Sequence, residues 1–197
     1  MAPVPKRGVA PGEVRIIGGV WRSRRLSFPA SAGLRPTPDR VRETVFNWLM
    51  PALPGARCLD LFAGTGAFGL ESVSRGAAHA VLVEKQSEVV AALRENSARL
   101  QAEMVEIVHA DAMQWLQSPG RPFDIIFLDP PYASHLLDAC VELLEAKAWI
   151  KPNGLVYLET AKDQAPPLPK NWELLRSKTA GQVGYHLARK TRTTETP

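Results

Sequence analysis

A short stretch in the second half of the chain combines a carboxylate, two prolines and an aromatic ring, in the order Asp129-Pro130-Pro131-Tyr132. The apolar run before it, residues 125–128, is typical of a strand buried on both faces. Proline lacks a backbone N–H, so we expect regular strand pairing to end at Pro130. This combination of a carboxylate, carbonyl oxygens and a flat ring is poorly suited to acid–base chemistry. It forms a good clamp for a planar group that carries an amine.

A glycine-rich loop follows an earlier apolar segment and opens a predicted helix. It runs from Asp60 to Gly69 and contains Gly64 and Gly66. Glycine lets the backbone turn tightly and approach a ligand closely. These glycines, with Glu84 18 residues beyond Gly66, also fit a dinucleotide site, so NAD is one interpretation. Asp60 argues against NAD, because its charge would repel a pyrophosphate and attract a cation.

Carboxylates end or follow four successive predicted strands, namely Asp60, Glu84, Asp111 and Asp129. The carboxyl ends of parallel strands meet at one edge of a sheet, where such sheets bind ligands. S-adenosylmethionine fits this edge because it carries a sulfonium, an ammonium, ribose hydroxyls and an adenine amine. We expect Asp60 near the methionine part, Glu84 at the ribose and Asp111 at the adenine. Phe62 is expected to pack on the sheet or to touch the cofactor.

The elements that must position these groups alternate regularly between strand and helix from residue 56 onward. Strands are predicted at 57–62, 80–84, 105–108, the stretch before Asp129, and 155–159, with helices between them. A turn at 153–154 should precede the strand at 155–159, and strands at 172–178 and 183–189 should close the chain as an antiparallel hairpin. The predicted fold is α/β and doubly wound, a mostly parallel, Rossmann-like sheet of seven strands.

The N-terminal part should form a small extension. Residues 14–28 fit a β-hairpin, and residues 38–49 fit an amphipathic helix with Thr37 as N-cap. Trp21 and Phe28 are expected to pack in the core or to stack on bases. The predicted division is a disordered tail at 1–13, a nucleic-acid-binding extension at 14–53, a catalytic domain at 54–190 and a tail at 191–197.

Charge is segregated along the chain. Residues 1–57 carry a net charge of +7 and residues 58–170 a net charge of −6, within a total of +4. A basic segment beside an acidic domain indicates a polyanionic partner such as nucleic acid. Arg35, Arg40 and Arg42 cluster where the predicted helix begins. This arrangement suits phosphate contacts, and a merely solvated basic face is the alternative. The candidate phosphate ligands are Arg15, Arg22, Arg24, Arg25, Arg35 and Arg40.

Several classes of protein are not favoured. No apolar run approaches the length of a membrane-spanning helix, and the N-terminus does not resemble a secretory signal. Cys58 and Cys140 are expected to be buried, reduced thiols of a cytoplasmic protein. The four histidines do not cluster with them, so no metal site is predicted; His135 lies near the clamp or on the surface. We expect a monomer.

Residues 57–160 resemble the class I S-adenosylmethionine-dependent methyltransferases, and Asp-Pro-Pro-Tyr resembles the branch that methylates exocyclic amines. Two N-terminal segments, residues 15–22 and 34–43, together with Phe46-Asn47, are similar to the bacterial 16S rRNA guanine-N2 methyltransferases of the RsmD type. The similarity extends over residues 14–190. Asp129 stands where many DNA methyltransferases have Asn.

The resemblance implies methylation of the N2 amine of a guanine in 16S rRNA or in an assembly intermediate of the small ribosomal subunit. Asp129 and the Pro130 carbonyl would accept the two amine hydrogens, and Tyr132 would stack on a base that is flipped out or lies in a loop. Two alternatives stay open at this point. One is a DNA adenine or cytosine amino-methyltransferase, and the other is a non-catalytic RNA-binding ribosome assembly factor.

Overall fold

A central sheet of seven strands organises the protein. The computed structural model describes residues 10–30, 34–131 and 136–191. The strand order is β5-β4-β3-β6-β7-β9-β8, in which β3 to β7 are mutually parallel and β8 and β9 are antiparallel to their neighbours. The strands are β3 (Arg57–Asp60), β4 (His79–Glu84), β5 (Val105–His109), β6 (Phe123–Leu128), β7 (Ile150–Ala161), β8 (Trp172–Ala180) and β9 (Val183–Lys190).

Helices cover both faces of the sheet, as the doubly wound prediction requires. They are α1 (Asp39–Leu49), α2 (Ala67–Ser74), α3 (Ser87–Leu100), α4 (Ala112–Trp115) and α5 (Leu136–Ala146), and a 3₁₀ turn (Met50–Ala52) follows α1. Two apolar clusters fill the two interfaces, one with α1, α2 and α3 and the other with α4 and α5. The central strands β3, β4 and β6 are buried on both sides, which explains their continuous apolar runs.

The N-terminal hairpin is confirmed, with β1 (Gly12–Arg15) antiparallel to β2 (Arg25–Phe28). It starts two residues before the predicted position, so Gly12 and Glu13 belong to the strand and not to the predicted tail. The hairpin is docked on α2 and α3. Asn96 exchanges two hydrogen bonds with the backbone of Ser27, and the Ser74 hydroxyl bonds the backbone near the hairpin turn. Phe28 is buried in the core, which favours packing over base stacking.

One buried ion-pair network ties the extension to the main sheet. The Arg42 side chain is fully buried, which corrects its expected place on an exposed basic face. Its Nη1 lies 2.9 Å from Glu71 Oε2 on α2. Its Nη2 donates to the carbonyl of Arg15, and its Nε donates to the carbonyl of Thr37. Arg75 binds the other oxygen of Glu71 at 2.6 Å. A buried charge pair is tolerated only when its remaining hydrogen bonds are satisfied, as they are here.

Two local predictions are corrected. Helix α1 begins at Asp39 with Pro38 as N-cap, so Thr37 makes no capping hydrogen bond. The turn expected at 153–154 is a kink inside one long strand, because Asn153 adopts a φ of 63° while β7 continues on both sides of it. The register between β6 and β7 shifts at this point.

Within the described residues, no helix combines the length and the apolar character that crossing a membrane requires.

Replacing Arg42 with Ala should lower the free energy of unfolding by about 3–5 kcal/mol, because it removes one of the two arginines that pair with the buried Glu71 and leaves a cavity in the network. Denaturant unfolding of the two proteins measures the difference. Arg40→Ala, which removes an exposed arginine from the same helix, is the matched control and should have little effect. Equal stabilities of Arg42→Ala and the parent would contradict a structural role for the network.

Candidate active site

The sheet has its switch point between β3 and β6. Strand β4 lies on one side of β3 and β6 on the other, so the loops that follow β3 and β6 flank a crevice. A cavity of about 900 Å³ opens there, within the range of pockets for small ligands. Its walls come from the segment before α1, the glycine loop, the ends of β4 and β7, and the residues after β4, β5 and β6.

The glycine loop is fixed by a carboxylate from the next strand. Gly64 has a φ of 48° and its N–H donates to Glu84 Oε2 at 3.1 Å. The N–H of Gln86 donates to the other Glu84 oxygen at 2.8 Å. Glu84 is therefore held in place at the cavity wall, and each of its oxygens retains a lone pair for a ligand hydroxyl. Phe62 also lines the cavity.

Two predicted cofactor residues lie behind the wall and do not line it. Gly66 adopts a φ of 76°, and a Cβ added there would come within 2.6 Å of Leu93, so the loop turn and the helix packing require glycine. The buried Asp60 accepts the N–H of Gly69 at 2.9 Å. Burial, with added repulsion from Glu84, raises the pKa of Asp60 to about 7. Because Asp60 does not line the cavity, any effect it has on a ligand there would be electrostatic.

Asp111 follows β5 and serves as the N-cap of α4. Its Oδ1 accepts the backbone N–H of Met113 at 3.0 Å and that of Gln114 at 3.2 Å. These bonds anchor the carboxylate at the far end of the cavity, two residues beyond the strand. Its second oxygen is the natural acceptor for a ligand amine.

Asp129 follows β6 directly and lines the cavity together with Pro130 and Pro131. The hydroxyl of Thr37 lies 3.4 Å from Asp129 Oδ2 and 3.4 Å from Glu159 Oε1. Burial is the main cause that raises the pKa of Asp129 well above its usual value, and repulsion from Glu159 and Asp60 adds to it. The carboxyl therefore resists ionisation until a ligand supplies donors or positive charge.

Glu159 and Thr37 are site residues that the sequence reasoning missed. Glu159 is buried near the end of β7 and also accepts a hydrogen bond from the Tyr157 hydroxyl. A signal for Glu159 was present, because it ends the apolar run of the fifth predicted strand as Asp129 does the fourth. Thr37 gave no such signal, since it also fitted a helix cap.

The candidate phosphate ligands divide into two groups. Arg15 pairs with Asp39 at 2.9 Å and Arg25 with Glu13 at 2.7 Å, so both already have carboxylate partners. The other four are exposed and form no ion pair within residues 10–30, 34–131 and 136–191; they are Arg22, Arg24, Arg35 and Arg40. Arg35 also lines the cavity, so it connects the basic surface to the site.

Tyr132 and His135 lie outside the described residues. Over the described ranges, no group of His, Cys, Asp or Glu side chains could hold a metal ion. Cys58 and Cys140 are free and buried, as expected. Burial raises the pKa of both thiols to about 12, so neither is a nucleophile at neutral pH.

The donor set of the cavity fits a ligand that is cationic at one end and offers hydroxyl or amine hydrogens elsewhere. The acceptors in the cavity wall include Glu84, Asp111, Asp129 and Glu159. Burial, reinforced by repulsion from neighbouring carboxyls, raises the pKa values of Asp60 and Asp129, so a positive ligand group would favour their ionised forms. S-adenosylmethionine meets this requirement: its positive groups would reduce the repulsion, while Glu84 and Asp111 would accept its hydroxyl and amine hydrogens.

Comparisons with known proteins agree with this geometry. The family described as "Conserved hypothetical protein 95" matches residues 14–189. "Ribosomal RNA small subunit methyltransferase D" of Escherichia coli strain K12 is 49% identical over 177 residues, covering 89% of each chain. The protein of the same name from Haemophilus influenzae is 45% identical over 182 residues, covering 90% of this chain and 94% of its own.

A solved structure extends the agreement to the fold. The Escherichia coli protein yhhF superposes with a TM-score of 0.86 at 44% identity, over 92% of this chain and all of its own. The family match, over residues 14–189, includes most of the hairpin, the glycine loop and the Asp-Pro-Pro-Tyr stretch. The chain belongs to the ribosomal RNA small subunit methyltransferase D family.

Proposed function

We propose that the protein transfers a methyl group from S-adenosylmethionine to the exocyclic N2 amine of a guanine in 16S rRNA. The observation that carries the proposal is the position of Asp129 and Pro130 in the same cavity as Gly64 and Glu84. An amine clamp and a site suited to a cationic nucleoside therefore share one space. Family membership supports the reaction class and the ribosomal substrate.

The chain's own residues would act mainly by alignment. Asp129 and the Pro130 carbonyl accept the two amine hydrogens and hold the nitrogen lone pair in one direction. Such alignment of the reacting atoms lowers the reaction barrier substantially. Glu84 and Asp111 hold the nucleoside end of the cofactor, which supplies an electrophilic methyl group when bound. As the amine nitrogen becomes positive, the Asp129 carboxylate stabilises it and is placed to receive its proton. Tyr132 is proposed to stack on the base.

The substrate is proposed to be RNA and not DNA. DNA amino-methyltransferases usually carry a sizeable insertion for target recognition. Here α5 accounts for residues 136–146 of the connection between β6 and β7, which leaves little room for one. The exposed Arg22, Arg24, Arg35 and Arg40 would contact phosphates beside the cavity. We propose that the protein acts in the cytoplasm as a monomer, on 16S rRNA or on a small-subunit assembly intermediate.

The proposal is tested by incubating the protein with labelled S-adenosylmethionine and, separately, small ribosomal subunits, naked 16S rRNA and DNA. Digestion to nucleosides should then show labelled N2-methylguanosine from a ribosomal substrate and no label from DNA. Label in an adenine or cytosine would contradict the proposed base. Tight RNA binding without label would indicate a non-catalytic assembly factor.

Asp129→Ala should lower kcat by roughly 10²–10³-fold, because it removes the charge that stabilises the developing cation. The affinity for S-adenosylmethionine, measured by calorimetry, should change little, since Glu84 and Asp111 remain. Asp138→Ala, which removes an exposed carboxylate on α5, is the matched control. Turnover of Asp129→Ala near that of the control would contradict the clamp.

Binding of S-adenosylmethionine should strengthen as the pH rises towards about 7, the raised pKa of Asp60. Below that pH the carboxyl holds a proton, and a cationic ligand favours its ionised form, so binding must release protons. Calorimetry in two buffers with different heats of ionisation measures this release. Asp60→Asn retains an acceptor for Gly69 and should release fewer protons; equal release by both proteins would contradict the assignment.

Arg35→Ala and Arg40→Ala should each weaken rRNA binding and reduce the slope of log K against log salt by about one, because each removes one phosphate contact. Filter binding over a range of salt concentrations measures the slope. Arg121→Ala is the control, since this exposed arginine precedes β6 at the opposite edge of the sheet. An unchanged slope would mean that Arg35 and Arg40 do not contact phosphates and belong to a solvated basic surface.

A further inference from the structure

Glu159 occupies the same level of the sheet as the clamp carboxylate. Strands β6 and β7 are parallel, and Leu128 is paired in register with Leu158. Asp129 directly follows β6 and Glu159 is the next residue of β7, so the two residues lie side by side at this end of the sheet. Thr37 Oγ1 contacts both carboxyls at 3.4 Å, which confirms that they are neighbours.

Glu159 is available to a ligand in the cavity even though it is buried. Its side chain lines the cavity together with Asp129, Pro130 and Thr37. The Tyr157 hydroxyl donates to Glu159 Oε1 and fixes the orientation of the carboxyl.

Two adjacent acceptors match only one of the bases that carry an exocyclic amine. In guanine one of the two ring nitrogens beside the amine, N1, carries a hydrogen, so N1–H and N2–H form two neighbouring donors. In adenine and cytosine the ring nitrogen beside the amine is an acceptor, which would face a carboxylate oxygen with no hydrogen between them. An unpaired buried acceptor is costly, so such a pair rejects the wrong edge.

We propose that Glu159 is a base-selecting residue that accepts the N1–H of guanine while Asp129 accepts a hydrogen of the N2 amine. This inference rests on the proposed function, because it concerns the same cavity and the same base. The two donors of guanine would also reduce the repulsion between the two carboxyls. Recognition through the Watson–Crick edge requires that the base be unpaired when it enters.

The test removes the N1–H from the substrate and the acceptor from the enzyme. 2-Aminopurine keeps the amine at position 2 but has no hydrogen on N1. It would replace the methylated guanine in an rRNA fragment made by ligation of synthetic RNA. For the parent enzyme and for Glu159→Ala, kcat/KM is measured with guanine and with 2-aminopurine. Any intrinsic difference in reactivity between the two amines cancels in the comparison of the two ratios.

The parent enzyme should prefer guanine, and the preference should fall by at least about tenfold in Glu159→Ala. Glu159→Leu fills a similar space without an acceptor and should lose the preference as Glu159→Ala does. It replaces Glu159→Ala in the test if the alanine variant does not fold. Glu142→Ala, an exposed carboxylate on α5, should keep the parent's ratio. Equal ratios in the parent and in a folded Glu159 variant would overturn the inference. Failure of the parent to methylate guanine would instead overturn the proposed function.

Discussion

The repulsion between carboxyl groups at one edge of the sheet is the constraint around which the site is built. Parallel strands deliver Asp60, Glu84, Asp129 and Glu159 to the same edge, and the described structure stabilises them with neutral donors. Backbone N–H groups bind Asp60 and Glu84, and hydroxyls bind Asp129 and Glu159. Neutral donors orient a carboxylate without cancelling its charge. Because these hydrogen-bond partners add no positive charge, a cationic ligand suits the carboxyl edge better than a pyrophosphate does.

The opposite arrangement is found at Glu71 on α2, which binds two arginines. One of them, Arg42, comes from α1, so this ion-pair network fixes the extension against α2. The same extension brings Thr37 to the clamp and Arg35 to the cavity mouth. The same segment therefore carries the proposed phosphate contact of Arg35 and the contact of Thr37 with Asp129. RNA held by the extension would be held at a defined position relative to Asp129.

The sequence was sufficient for the elements whose signal is local. The apolar runs gave the strands, and the residue after each run gave Asp129 and Glu84. Long-range pairing was not accessible in the same way. Arg40 and Arg42 are alike in sequence, yet one is exposed and the other fully buried, because only the fold places Glu71 opposite the second. The prediction for Thr37 was wrong for a related reason. Its hydroxyl could equally cap a helix, and its actual contacts with Asp129 and Glu159 depend on β6 and β7, which lie far along the chain.

The presence of Asp and not Asn at position 129 has a physical consequence because Glu159 is its neighbour. An Asn at this position would offer its NH₂ to a neighbouring carboxylate and turn its oxygen towards the amine, so that pair would be internally satisfied. With Asp, both neighbours are acceptors when ionised, and burial, repulsion from Glu159 and Asp60 and a hydrogen bond with Glu159 raise the pKa of Asp129. A ligand edge that brings two hydrogens then satisfies both ionised carboxylates at once. On the proposed arrangement, Asp at position 129 and Glu at position 159 act together, and guanine is the base whose edge completes them.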